Sequence, residues 1–182
     1  MKHLLTIAAC VLLISCTDAG EGSADSERDT TDVAGKGELS QEMKEERNKE
    51  MAMKSINGFN NRKADSVMFA IDTLGYTEYG DGSMPPMRYS DSMKLGMQAW
   101  MDAFPDLKGS DFITVADGDY VIVYGTWTGT WKNDFMGMKA TGKSFTVRDA
   151  DIFKFNENGK MIEHRAVQSY ATMAGQIGMK MQ

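Results

Sequence analysis

The stretch "SFTVRDADIFKF", residues 144–155, carries two carboxylates where an apolar strand would bury them. Strict alternation puts Phe145, Val147, Asp149, Asp151, Phe153 and Phe155 on one face, and Ser144, Thr146, Arg148, Ala150, Ile152 and Lys154 on the other. The first face is aromatic and aliphatic, so it is predicted to be the inner one. An acid on such a face costs several kcal/mol unless it is paired, solvated or neutralised. The same burial raises a carboxyl pKa, which makes the group a useful base near neutral pH. The plainer possibility is that Asp149 and Asp151 lie at a wet, open mouth of the sheet.

A second stretch, "GKMIEHRAVQS" (159–169), holds His164. Alternation sends Ile162, His164, Ala166 and Gln168 one way, and Met161, Glu163, Arg165 and Val167 the other. Asn158-Gly159 is a tight-hairpin sequence. If it pairs the two strands, His164 lies across from the Asp149–Asp151 region, and Asp151 with His164 becomes a candidate acid–base pair. A histidine so placed can equally be a satisfied structural residue.

Helices and further strands must position these groups. Helical patterns cover residues 40–57, with Gly58 as a stop, and 64–71. "YTEY" (76–79) reads as a short strand and "GDGSMPP" (80–86) as a loop. Residues 91–104 form a helix stopped by Pro105, with Met93, Met97, Trp100, Met101 and Phe104 on one face. The period then becomes alternating, predicting strands at 111–116, 120–131, 144–155 and 160–167. Trp127 and Trp131 share a strand face, as core or pocket wall. Ser169 caps a last helix reaching about residue 175. Helices first, then a strand meander, then a short helix predict an α+β fold: a cone-shaped barrel in which a curved antiparallel sheet wraps N-terminal helices around a pocket.

The N-terminus excludes much other chemistry. "MKHLLTIAACVLLISC" has a basic start and an apolar run too short to span a bilayer, as in a secretory leader. "LISC" resembles the bacterial lipobox, which predicts a leader at 1–15, lipidation of Cys16, and a protein anchored to a membrane of the cell envelope. Residues 17–38 contain one Val and no larger apolar side chain, so 16–38 is expected to be an acidic flexible tether ahead of a domain at 39–182. The chain has 2 histidines and 2 cysteines. Loss of the leader removes His3 and Cys10, and lipid occupies Cys16. No disulfide, thiol nucleophile or zinc–thiolate site is then expected. With 20 Lys and Arg against 26 Asp and Glu, the net charge is −6, which gives no basis for nucleic-acid binding. The "MPPM", "MGM" and "MKM" runs could suggest copper(I), but the stripe of Met93, Met97 and Met101 reads as packing. No metal or cofactor is expected.

"AFPDLKG" (103–109), "GTWTGTWKNDFMGMKATGKSFTVRDADIFKFNENGKMIEH" (125–164) and "QIG" (176–178) together resemble the SnoaL-like polyketide cyclases, or ester cyclases, over roughly residues 45–178. The resemblance implies a nuclear-transport-factor-like α+β barrel, usually a homodimer. It also implies a cofactor-free intramolecular aldol condensation in which a buried Asp serves as acid and base. That family's last strand reads His-Arg-Asp or His-Trp-Asp; here it reads His164-Arg165-Ala166. Ala166 thus stands where the catalytic Asp is matched, and Asp151 matches a second pocket residue. Glu78 falls near a further lining position.

Three functions follow. The first is a lipid-anchored domain whose pocket, lined by Glu78, Trp127, Asp149, Ala166 and Gln168, holds a small apolar molecule. The second is a cofactor-independent cyclase- or isomerase-type enzyme using Asp151 and His164. The third is a non-catalytic dimerisation or interaction module, the one reading that a filled interior would leave.

Overall fold

A computed structural model describes residues 39–167 and 170–180. The order is α1 (Gln41–Asn60), α2 (Ala64–Met68), β1 (Thr77–Glu78), β2 (Met87–Arg88), α3 (Asp91–Ala103), β3 (Lys108–Asp117), β4 (Tyr120–Thr130), β5 (Ser144–Phe155), β6 (Met161–Ala166) and α4 (Tyr170–Ile177). The strands form one curved, unclosed sheet in the order β2-β1-β6-β5-β4-β3. β1 runs parallel to β6, and the other neighbours are antiparallel. This is the α+β cone that the periodicity predicts.

Ser40 caps α1, its hydroxyl accepting from the Met43 N–H. The expected stop at Gly58 is overturned: α1 continues through it to Asn60. Gly58 serves close packing instead. A Cβ there would lie 2.6 Å from a Val67 methyl carbon, so only glycine lets α2 approach. α2 ends at Met68 rather than near residue 71, because Ile71 already pairs with Met161 as an isolated bridge beside β6. Short β2 follows the 80–86 loop, at residues for which the periodicity predicts no element.

β5 alternates as predicted, with Phe145, Val147, Asp149, Asp151, Phe153 and Phe155 buried. β6 departs from simple alternation. Its register against β5 shifts between Lys154 and Phe155, so Phe155 faces Met161 while Lys154 faces Glu163. The bulge turns Met161 into the core, although strict alternation places it opposite His164. The inner face carries two apolar clusters. One joins Ala52 and Ile56 of α1 to Val121, Val123, Phe153 and Phe155. The other joins Phe104, Leu107, Trp131, Phe145 and Val147 to Met173 and Ile177 of α4. Trp127 packs against both.

A bulge in β3 between Ser110 and Ile113, with Asp111 at φ 54°, accompanies the packing of Phe112 against the first cluster. Gly125 makes room for it: a Cβ there would come 2.5 Å from the Phe112 ring and 3.0 Å from the Ser110 carbonyl oxygen. Gly125→Ala is therefore expected to cost about 1–3 kcal/mol by overpacking, measured as a lowered urea midpoint with an unchanged slope.

Candidate functional site

β5 and β6 bring the sequence's candidate pair together. Asp151 is the register partner of Ala166, and Phe153 that of His164, so His164 sits diagonally from Asp151 on the inner face. On the other side of β6, the parallel pairing sets Glu78 directly beside His164. The imidazole is thus held between two carboxylates. Its Nδ1 lies 2.9 Å from each oxygen of Glu78, and its Nε2 lies 3.1 Å from Asp151 Oδ1. The ring stacks on Phe153, with centroids 5.0 Å apart.

Glu78 is held from further sides. The Tyr76 hydroxyl donates to Oε2 at 2.7 Å, and the Gly80 N–H donates to Oε1 at 2.8 Å. Tyr76 and Glu78 reach the same side because they are two apart in an extended segment. Sequence reasoning missed Tyr76, and this spacing in "YTEY" is the signal that could have found it.

Ionised carboxylates only accept hydrogen bonds, so both ring nitrogens must carry hydrogen to satisfy them. Burial alone would depress the His164 pKa. The charge of Glu78, the hydrogen bonds to Asp151 and Glu78, and the charge of Asp151 outweigh it and raise the value to about 10. Burial pushes the Glu78 carboxyl up, but His164, Tyr76 and Gly80 hold it below its ordinary value. Burial, together with the neighbouring Glu78 and Asp151 charges, raises the Tyr76 hydroxyl far above the usual range, so it stays a donor.

The relay ends on a cavity of about 520 Å³ between the sheet and the helices. Glu78, Trp127, Asp149, Asp151, His164 and Ala166 all line it. Gln168, Ser169 and Cys16 lie outside the described residues. Trp131 is not on the wall; it is buried in the second core cluster. Phe59, Met97, Trp100, Phe145 and Tyr170 make the wall mostly apolar, and Ser83, Met84 and Pro85 of the Gly-Pro loop, with Met87 of β2, supply exposed lining residues. That loop is clasped to α4 through Asp81, whose carboxylate accepts from the Tyr170 N–H at 2.6 Å and the Ser83 N–H at 2.9 Å.

Asp149 is 9 % exposed and accepts from the Ala150 and Val167 backbone N–H groups. Asp151 is 8 % exposed. Its Oδ2 is, among the described residues, the one buried side-chain nitrogen or oxygen with no protein hydrogen-bond partner. Such an atom is costly unless something else meets it. The arrangement presents a carboxylate acceptor, oriented from behind by a charged imidazole, on the wall of an apolar cavity. Among the described residues, no group of three His, Cys, Asp or Glu side chains is set to hold a metal, and no helix is long and apolar enough to cross a membrane.

An open sheet wrapped on helices around an apolar cavity is a nuclear-transport-factor-like α+β domain. The chain belongs to the SnoaL-like polyketide cyclase family, whose model matches residues 50–177. Similar solved structures include AclR, a candidate hydroxylase from Streptomyces galilaeus, at 22% identity and TM-score 0.62, covering 75% of this chain and 88% of that one. A candidate SnoaL-like polyketide cyclase from Jannaschia sp. CCS1 has 18% identity and TM-score 0.65, with 75% and 95% covered. TsrD from Streptomyces laurentii has 18% identity and TM-score 0.61, with 74% and 97% covered. At these identities the likeness is one of fold. No curated protein matches the chain.

Proposed function

We propose that the cavity binds a small, largely apolar molecule and that Asp151 takes a proton from it without a cofactor. The observation that carries this is the buried Oδ2 of Asp151, which has no protein hydrogen-bond partner, on a residue that lines the cavity. The volume lies in the range that holds a small molecule, and the apolar wall suits one. Ala166 has no proton to transfer, but Asp151 is its register partner, so the neighbouring strand supplies a carboxylate beside the position Ala166 leaves open.

In the step, a C–H bond next to a carbonyl breaks. Its proton goes to Oδ2, and its electron pair moves onto the substrate as an enolate. With Glu78 and Asp151 ionised and His164 protonated, the relay carries a charge of −1 before transfer and none after it. The enolate then carries the −1, so the apolar site never has to create net charge. His164 and Glu78 act through Asp151 as positioning residues, fixing its carboxylate and balancing its charge. Returning the proton to another carbon gives isomerisation, and attack of the enolate on a second carbonyl gives ring closure.

The test is α-deuterium uptake by 2-tetralone, an apolar ketone, in D2O, followed by proton NMR. Acceleration well above buffer supports the enzyme. Saturable binding with no acceleration leaves a binding protein, and absence of both removes the proposal.

The anchor and the dimer extend the same reading. Lipidation at Cys16 would hold the domain at the cell envelope; Cys16→Ser is then expected to move the protein from the membrane pellet to the soluble fraction, as read by immunoblot of the two. On the outer sheet face Ile113, Val115, Tyr120, Ile122 and Tyr124 are exposed. Asp117 borders this patch on β3, and Arg148 and Lys154 border it on β5. A two-fold partner would lay the acidic margin of one copy on the basic margin of the other. Ile122→Glu is expected to convert a dimer to a monomer in sedimentation, with the fold retained.

A further inference from the structure

The electrostatics of the cavity are one-sided. Glu78, Asp81, Asp149 and Asp151 line it, against one cationic side chain, His164, and among the described residues no lysine or arginine does. His164 is already committed to Glu78 and Asp151. The carboxylates of Asp149 and Asp151 come from the same face of β5, two residues apart, and both are buried. Independently of this acidic count, one buried oxygen, Asp151 Oδ2, has no protein partner. The remaining wall includes Tyr76, Trp100, Trp127 and Tyr170, whose ring faces attract cations.

We infer that the cavity selects by charge: its ligand is an apolar molecule bearing one protonated amine, and the corresponding carboxylate is rejected. This rests on the small-molecule reading of the same cavity and names the class of molecule. A single ammonium offsets the −1 of the Glu78–His164–Asp151 relay. Under the proton transfer proposed above that −1 passes to the substrate and stays inside the cavity, so the ammonium remains favourable at both stages. An anionic ligand would instead be buried among carboxylates with no free cation to meet it, which low local dielectric makes expensive.

The experiment uses three probes on one carbon skeleton: 2-aminotetralin as its ammonium salt, 2-tetralol, and tetralin-2-carboxylate. Their binding to the protein is measured by calorimetry at pH 7.5. The amine is expected to bind about tenfold or more tightly than the alcohol, and the carboxylate at least about tenfold more weakly than the alcohol. Asp149→Asn and Asp151→Asn should each narrow the gap between amine and alcohol severalfold, with circular dichroism confirming the fold. Equal binding of amine and alcohol overturns the charge selection while leaving the cavity reading in place. So does a preference that survives both substitutions, since it then belongs to the acidic surface. Binding of none of the three overturns this inference and the reading beneath it together.

Discussion

Asp151→Asn is expected to cut proton exchange on 2-tetralone by roughly 100-fold or more, the range that a positioned base contributes. The amide keeps the shape of the carboxylate. Its oxygen can still accept from His164 Nε2, while its NH2 takes the place of the basic Oδ2 that faces no protein donor. The loss should therefore fall on kcat, with KM nearly unchanged, because the apolar wall still binds the ketone. A fall in binding with kcat preserved would mean that Asp151 recognises the molecule without reacting. Asp149→Asn should leave a much larger share of kcat, since that carboxylate already accepts from the Ala150 and Val167 N–H groups.

His164→Ala should be the most destabilising single change at the site, by about 3–5 kcal/mol at neutral pH. It removes the cation between Glu78 and Asp151 and leaves two buried like charges. Equilibrium urea unfolding measures it. The pH dependence has a definite sign. The His164 pKa is raised from 6.5 to about 10, so its contribution is complete below 6.5 and is lost as pH rises toward 10. The Glu78 pKa is lowered from 4.5, so its contribution is present above that value and is lost as pH falls through the folded one. The stability gap between wild type and His164→Ala should thus be widest around pH 5–6.5 and narrow between 6.5 and 10. A gap that is flat across that alkaline range would contradict a charged imidazole in the fold.

The inner face of β5 was legible because each buried residue follows the two-residue period, and Asp149 and Asp151 stood out as acids within it. The approach of His164 to Asp151 followed from the Asn158-Gly159 hairpin. The inward turn of Met161 was not legible, since a bulge breaks the period without any change of composition. Gly58 read as a helix stop because glycine commonly ends helices; here tertiary contact with Val67 decided its role. The deeper miss was the third partner. Glu78, itself held by Tyr76, meets His164 through a parallel pairing of a two-residue strand, 86 positions away in sequence, and no local pattern reports such a contact. Sequence reasoning placed Glu78 on the pocket wall, not as the group that gives the histidine its charge. The Asp81 clasp on α4 was likewise hidden in a loop.

A buried imidazolium, gripped by Glu78, holds the Asp151 carboxylate at the cavity. His164 and His3 are the only histidines in the chain, so ring 15N NMR reports on His164 almost alone. Both ring nitrogens should show the shifts of a doubly protonated imidazolium at pH 8, and titrate only as pH approaches about 10. A neutral ring at pH 8, titrating near the ordinary 6.5, would contradict the relay and the role assigned to Asp151 with it.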